Sequence, residues 1–77
     1  MLGFDRITFD PNVLGGKACI RGMRLSVSLI VNLVSNRMTV TEIISEYSSL
    51  EEEDVVQALR YAAWASDDVF IPAAETA

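Results

Sequence analysis

The sequence contains no histidine, and its one cysteine, Cys19, has no partner for an internal disulfide. The common nitrogen and sulfur ligands of a zinc site are therefore missing, as is the side chain most often used as a general base. No uninterrupted apolar stretch approaches the ~20 residues that a membrane-spanning helix needs. The opening MLGFDR carries an acid and no apolar run, unlike a secretory signal. These absences predict a cytoplasmic protein that uses no metal, cofactor or membrane. Positive charge is scarce in the second half. Residues 41–77 hold Arg60 against nine acids, whereas residues 1–40 hold five cations against two acids. An uneven split of this kind points to one basic contact face and one acidic one.

What is present is a short, apolar chain. Seventy-seven residues make one domain, and 51% of them are hydrophobic. That content supports a folded core rather than disorder. A core this small cannot easily hide so much apolar surface, so a homodimer is expected.

The stretch GGKACIRG, residues 15–22, ends like a phosphate-binding loop, and the rest of that motif is missing. Gly16-Lys17 would require glycine at position 11 and serine or threonine at 18. The residues there are Pro11, which has no N–H to offer a phosphate, and Ala18, which has no hydroxyl for a magnesium ion. The stretch reads instead as a turn and return strand. Ile7 and Phe9 alternate with Arg6 and Thr8 as in a short strand. Asp10-Pro11-Asn12 and Gly15-Gly16 are turn signals, and Ala18-Cys19-Ile20 is a candidate return strand.

Helices follow. Ser26 is placed to cap a first helix, with Leu25 and Ile30 at staple spacing. Val27, Ile30, Val31 and Val34 form one stripe, and Leu29 and Leu33 form a second on nearly the opposite side. Asn36 is a candidate left-handed stop. Thr39-Val40-Thr41-Glu42 is a capping box for a second helix carrying Val40, Ile43, Ile44 and Tyr47, with Met38 and Ile43 as its staple. After the turn Tyr47-Ser48-Ser49-Leu50, the acids Glu51, Glu52, Glu53 and Asp54 suit the positive end of a third helix, as caps and solvated charges. Val55, Ala58, Leu59 and Ala62 line its core face, with Tyr61 and Trp64 roughly opposite. The predicted fold is mainly α. A β segment (residues 1–25) leads into a three-helix core with helix-turn-helix connectivity (26–66), followed by a short tail (67–77) expected to be flexible, with Phe70 and Ile71 as anchors.

From residue 7 to about 63, the order ITFDPNVLGGKACIRGMRLSV, helix, TVTEIISEYSSLEEEDVVQALRYAA resembles the domain-of-unknown-function 433 family. Its pattern has Asp-Pro, Gly-Gly-Lys-Pro, Ile-Arg-Gly-Thr-Arg-Ile-x-Val, then Ser/Thr-x-x-Glu-Ile, a Tyr-Pro-x-Leu-Thr turn and an acidic helix ending Ala-Leu-x-Tyr-Ala. Here Ala18 replaces a proline, Met23 a threonine, Ser48 the turn proline and Glu51 a common threonine cap. The resemblance implies a homeodomain-like three-helix fold with an N-terminal β segment. It also implies kinship with VapB-type antitoxins, encoded beside PIN-like ribonuclease toxins.

Three functions compete on these residues, and catalysis is not among them. Cys19 sits on a predicted strand, where a small buried thiol is the usual role, and consecutive acids on a helix cannot converge on one ion. The favoured expectation is an antitoxin that neutralises a PIN-like toxin, with autoregulation of its operon. The others are a stand-alone DNA-binding regulator and a homodimeric interaction module without a nucleic-acid role. Lys17, Arg21, Arg24 and Arg37 are the nucleic-acid candidates, because an acidic third helix would repel phosphates. Arg21 and Arg24 are equally suited to a toxin's carboxylate-rich site or to pairing with the chain's own acids. Leu29, Leu33, Tyr61, Trp64, Phe70 and Ile71 are the partner and dimer candidates.

Overall fold

The computed structural model describes residues 3–66; the expectations for the tail, including Phe70 and Ile71, lie outside the described residues. Strands β1 (Ile7–Phe9) and β2 (Ala18–Ile20) pair antiparallel with Ile7 opposite Ile20 and Phe9 opposite Ala18. They precede helices α1 (Val27–Ser35), α2 (Val40–Glu46) and α3 (Glu52–Ala65). This is the predicted three-helix core with an N-terminal hairpin.

The hairpin is shaped by its turns. Asp10 accepts from the Asn12 N–H through its side chain (2.9 Å) and from the Val13 N–H through its carbonyl (2.8 Å), so Asp-Pro-Asn bends the chain as its chemistry predicts. Gly15 and Gly16 then lie at φ 68° and 88°, where a Cβ would be strained. After β2, Arg21 (φ 44°) and Gly22 (φ 75°) form a tight turn closed by the Met23 N–H on the Ile20 carbonyl at 2.8 Å. Positive φ at both central positions is the primed turn whose twist suits β hairpins. Arginine is an unusual occupant of the first of them.

Helix starts follow the predicted caps. Ser26 Oγ accepts from the Leu29 N–H, and Thr39 and Glu42 form the reciprocal box. The end of α1 departs from expectation. Asn36 is not left-handed (φ −91°); the left-handed residue is Arg37 (φ 71°). The Arg37 N–H bonds the Val34 carbonyl at 2.9 Å and the Met38 N–H bonds the Leu33 carbonyl at 3.1 Å. That pair of bonds is a Schellman motif, which puts the left-handed residue one position past the cap. An exposed arginine there strains its backbone by about 1–2 kcal/mol. Arg37→Gly is expected to raise stability by about 1 kcal/mol, readable as an increase in thermal midpoint.

The core consists of Ile7, Ile20, Val27, Ile30, Ile43, Leu50, Val55 and Ala58, contributed by all three helices and both strands. Helix α3 packs on α1, α2 and β1, and α1 packs on β2. Two stripe residues differ from their predicted roles. Val31 is exposed, and Leu33 packs against the core rather than standing free for self-association. Helix α1 is covered by both α3 and β2, so the angular sector it buries is wider than a single stripe. Leu29 is half-buried.

Candidate functional site

Two surfaces concentrate this chain's chemistry: a polar clamp at the start of α3 and an aromatic face near its end.

The clamp centres on Asp54, whose side chain is fully buried. Arg21 grips it side-on, with Nε 3.0 Å from Oδ1 and a terminal nitrogen 2.8 Å from Oδ2. Arg6 donates to Oδ1 at 3.0 Å and the Glu51 N–H to Oδ2 at 2.7 Å. Each carboxylate oxygen thus accepts two bonds. Arg6 also reaches Glu51 at 2.7 Å, and Arg21 donates to the Ser49 carbonyl at 2.8 Å in the turn between α2 and α3. Beside this group, buried Gln57 accepts from the Arg6 N–H at 2.9 Å and donates to Asp5 at 2.8 Å. The hairpin is therefore fixed to the helix-turn-helix corner by paired charge. This explains the arginine at a strained turn position: its guanidinium must reach the Asp54 carboxylate and the Ser49 carbonyl together.

Burial by itself would raise the Asp54 pKa. The Arg21 fork, the Glu51 N–H and Arg6 outweigh it and bring the carboxyl down from 3.8 to about 2. The same contacts act on the cations. Hydrogen bonds to Glu51 and then Asp54 raise the Arg6 pKa, and the bond to Asp54 raises that of Arg21. The Gln57 amide lowers the Asp5 pKa. A carboxylate whose native pKa is depressed stabilises the fold above its unfolded pKa and loses that contribution as pH falls through the native value. Asp54 should therefore contribute about 2 kcal/mol at neutral pH. That contribution should fade between pH 3.8 and about 2, a window that urea titrations at stepped pH would resolve. With every acceptor direction filled and a pKa this low, Asp54 is built to hold charge, not to move protons.

Neither Asp54 nor Gln57 was expected in this role. A signal was available in the spacing: Asp54, Gln57, Ala58 and Tyr61 fall at i, i+3, i+4 and i+7 and share one helical face. Arg21, a nucleic-acid candidate equally suited to pairing with the chain's own acids, pairs with Asp54. Lys17, Arg24 and Arg37 are exposed, and among the described residues their side chains make no ion pair or hydrogen bond. Lys17, Arg24 and Arg37 are thus exposed cations, whereas the Arg21 guanidinium is engaged by Asp54 and the Ser49 carbonyl.

At the other end of α3, Tyr61 is the hub of an aromatic group. Its ring lies 5.6 Å from Phe4 at 90°, 5.8 Å from Phe9 and 5.8 Å from Trp64. Phe4 and Trp64 are also 5.8 Å apart. Edge and tilted contacts at these separations are favourable for aromatic quadrupoles. Trp64 and Phe9 are nevertheless 56% and 49% exposed. Tyr61 also borders an open groove of about 550 Å³, lined by Ala18 of β2, Val27 and Val31 of α1 and Ala62 of α3, with Lys17 the charged residue among its walls. Tyr61 and Trp64 are thus brought together; Tyr61, like Leu33, is half-buried against the core, and Trp64 is the exposed member of the pair. The strands supply Phe9, and the residues before them supply Phe4; sequence periodicity on α3 could not reveal either neighbour.

No curated protein and no solved structure is significantly similar to the chain. A family model described as "Protein of unknown function (DUF433)" matches residues 7–62. That span runs from β1 to Ala62 of α3 and includes Arg21, Asp54 and Tyr61, and the chain belongs to this family.

Proposed function

We propose that this chain is the antitoxin of a type II pair: a small protein that binds and neutralises a PIN-like ribonuclease and regulates its own operon. The observation that supports a binding role is the aromatic face. A small monomer exposes few large aromatic side chains in one place without a partner for them. Here Phe9 and Trp64 stand open on either side of Tyr61. Tryptophan and tyrosine are also the side chains that most often dominate interface energetics. Arg24, exposed and unpaired among the described residues, is the arginine available to a toxin's carboxylate-rich site. A recognition role for α3 on DNA is disfavoured, because Glu51, Glu52 and Glu53 are exposed at its start and would repel phosphates.

Co-expression with the product of the adjacent gene, followed by size-exclusion chromatography with light scattering, tests the reading. The expected result is a co-eluting complex and relief of the neighbour's toxicity. Trp64→Ala should weaken that complex by roughly 30-fold or more, the size of a hot-spot loss of about 2 kcal/mol, and the lost ring contacts with Phe4 and Tyr61 should lower the thermal midpoint by only a few degrees, leaving the free chain folded. A chain that runs alone as a dimer and ignores its neighbour would replace this reading with the homodimeric interaction module. Salt-sensitive operator binding by that dimer would favour the stand-alone regulator.

A further inference from the structure

The groove beside Tyr61 takes no part in the clamp, and its walls are of two kinds. Ala18, Val27, Val31, Tyr61 and Ala62 give it apolar surface, and Lys17, Ser28 and Asn32 give it polar groups. A mainly apolar lining with a few polar groups to orient the ligand is the usual make-up of a small-molecule site. The volume of about 550 Å³ falls within the ~300–1,000 Å³ that such sites span.

All three polar side chains can donate hydrogen bonds. Ser28 and Asn32 are four residues apart on α1 and share one edge of it. The antiparallel bridge between Cys19 and Ser26 holds β2 beside the start of α1, which brings Lys17 to the same groove. Ser26 Oγ accepts from the Leu29 N–H and lies 3.0 Å from Ser28 Oγ. With Ser26 as the donor to Ser28, the Ser28 hydrogen is left for a ligand. Among the described residues, the Asn32 amide and the Lys17 ammonium make no hydrogen bond or ion pair. No acid is among the described wall residues, so the charge the groove presents is positive.

We propose that this groove binds a small amphipathic carboxylate, an acyl or aromatic acid whose apolar body lies against Val27, Val31 and Tyr61 and whose carboxylate meets Lys17, Ser28 and Asn32. Two carboxylate oxygens offer about four acceptor directions, enough for all three donors. A neutral head group would forgo the attraction to Lys17, and a cationic one would be repelled by it. Tyr61 belongs both to the groove wall and to the aromatic face, so the ligand would touch a side chain that also holds Phe4, Phe9 and Trp64.

Octanoate is the probe, titrated into the full chain and followed by amide proton–nitrogen correlation spectra. The expected result is saturable shifts at the amides of Ala18, Ser28, Val31 and Ala62, with those around Asp54 unmoved. Octanol, the same chain without the charge, should bind about 2–5-fold more weakly, the worth of an exposed charge pair. Lys17→Gln should weaken octanoate by a similar factor and narrow its advantage over octanol. Val31→Asp places an acid on the exposed wall. It should weaken octanoate by about tenfold or more, through lost apolar contact and like-charge repulsion. Far-UV circular dichroism would establish that both variants fold as the parent does. Shifts that do not saturate or that spread over the whole molecule overturn the proposal. So does equal binding of octanoate and octanol, or full octanoate affinity in Lys17→Gln. Since no toxin enters the measurement, its failure leaves the antitoxin reading to its own test.

Discussion

Replacing Asp54 by alanine is expected to cost about 3 kcal/mol, at the low end of the 3–5 kcal/mol typical of breaking a buried charge pair. The low end applies because Arg6 and Arg21 are 26% and 39% exposed, and water can rehydrate part of each guanidinium. A domain of this length has a total stability on the order of 4–12 kcal/mol. The loss is therefore a large share of the whole, and the midpoint should fall by roughly 12–24 °C. Asparagine is no remedy, although it matches the shape and is a good residue near a helix start. It removes the charge and turns one acceptor oxygen into a donor that faces other donors. Asp54→Asn should thus lose most of what Asp54→Ala loses. Thermal and urea unfolding of both variants would measure it. Parent-like stability in Asp54→Asn would mean that the clamp contributes shape alone. Arg21→Lys adds a second reading: it keeps the charge but cannot form the planar two-nitrogen fork, so it should also be destabilised.

Ile30→Ala is expected to cost about 2–5 kcal/mol, the range for deleting a fully buried aliphatic side chain. Ile30 is 0% exposed and lies in one core cluster with Ile20, Ile43 and Val55. In so small a core the remaining residues cannot close the void without moving a strand or a helix, and close packing makes such adjustment costly. The next residue is the internal control. Val31 is 37% exposed on the groove wall, so Val31→Ala should change stability by about 0.5 kcal/mol or less. A similar cost at both positions would contradict the assigned faces of α1. Asp54 and Ile30 are instructive together, since each removes one of the two ways in which the hairpin and helices are joined.

Much of the local structure was legible because its causes are local. Ser26 and the Thr39–Glu42 box mark helix starts through bonds within four residues. Asp10 bends the hairpin through its own neighbours. The three helices and the short sheet could therefore be predicted from caps, turns and spacing. The same reasoning misplaced the left-handed residue by one, at Asn36 instead of Arg37. Residue preference favours asparagine, but the register of the Schellman bonds decides the position.

The candidate sites were legible only in part. Tyr61 and Trp64 stood out as aromatic residues off the main apolar stripe, and Lys17 and Arg24 as cations on a turn-rich segment. Asp54 was read among four consecutive acids as a cap and a solvated charge. The capping part agrees with its bond to the Glu51 N–H, whereas its full burial does not follow from the run of acids. Its burial depends on Arg6 and Arg21, 48 and 33 residues away in the chain.

The sequence by itself determined where helices begin, which residues turn the hairpin, and that no local pattern builds a phosphate loop. Those outcomes rest on backbone bonds and side-chain volumes spanning a few residues. Only the tertiary structure decided that Arg21 pairs with Asp54, that Asp54 is buried at the centre of the clamp, and that Phe4 and Phe9 join Tyr61 and Trp64. Charge pairing and ring contact depend on distance in space, and the hairpin's fold-back onto α3 sets those distances.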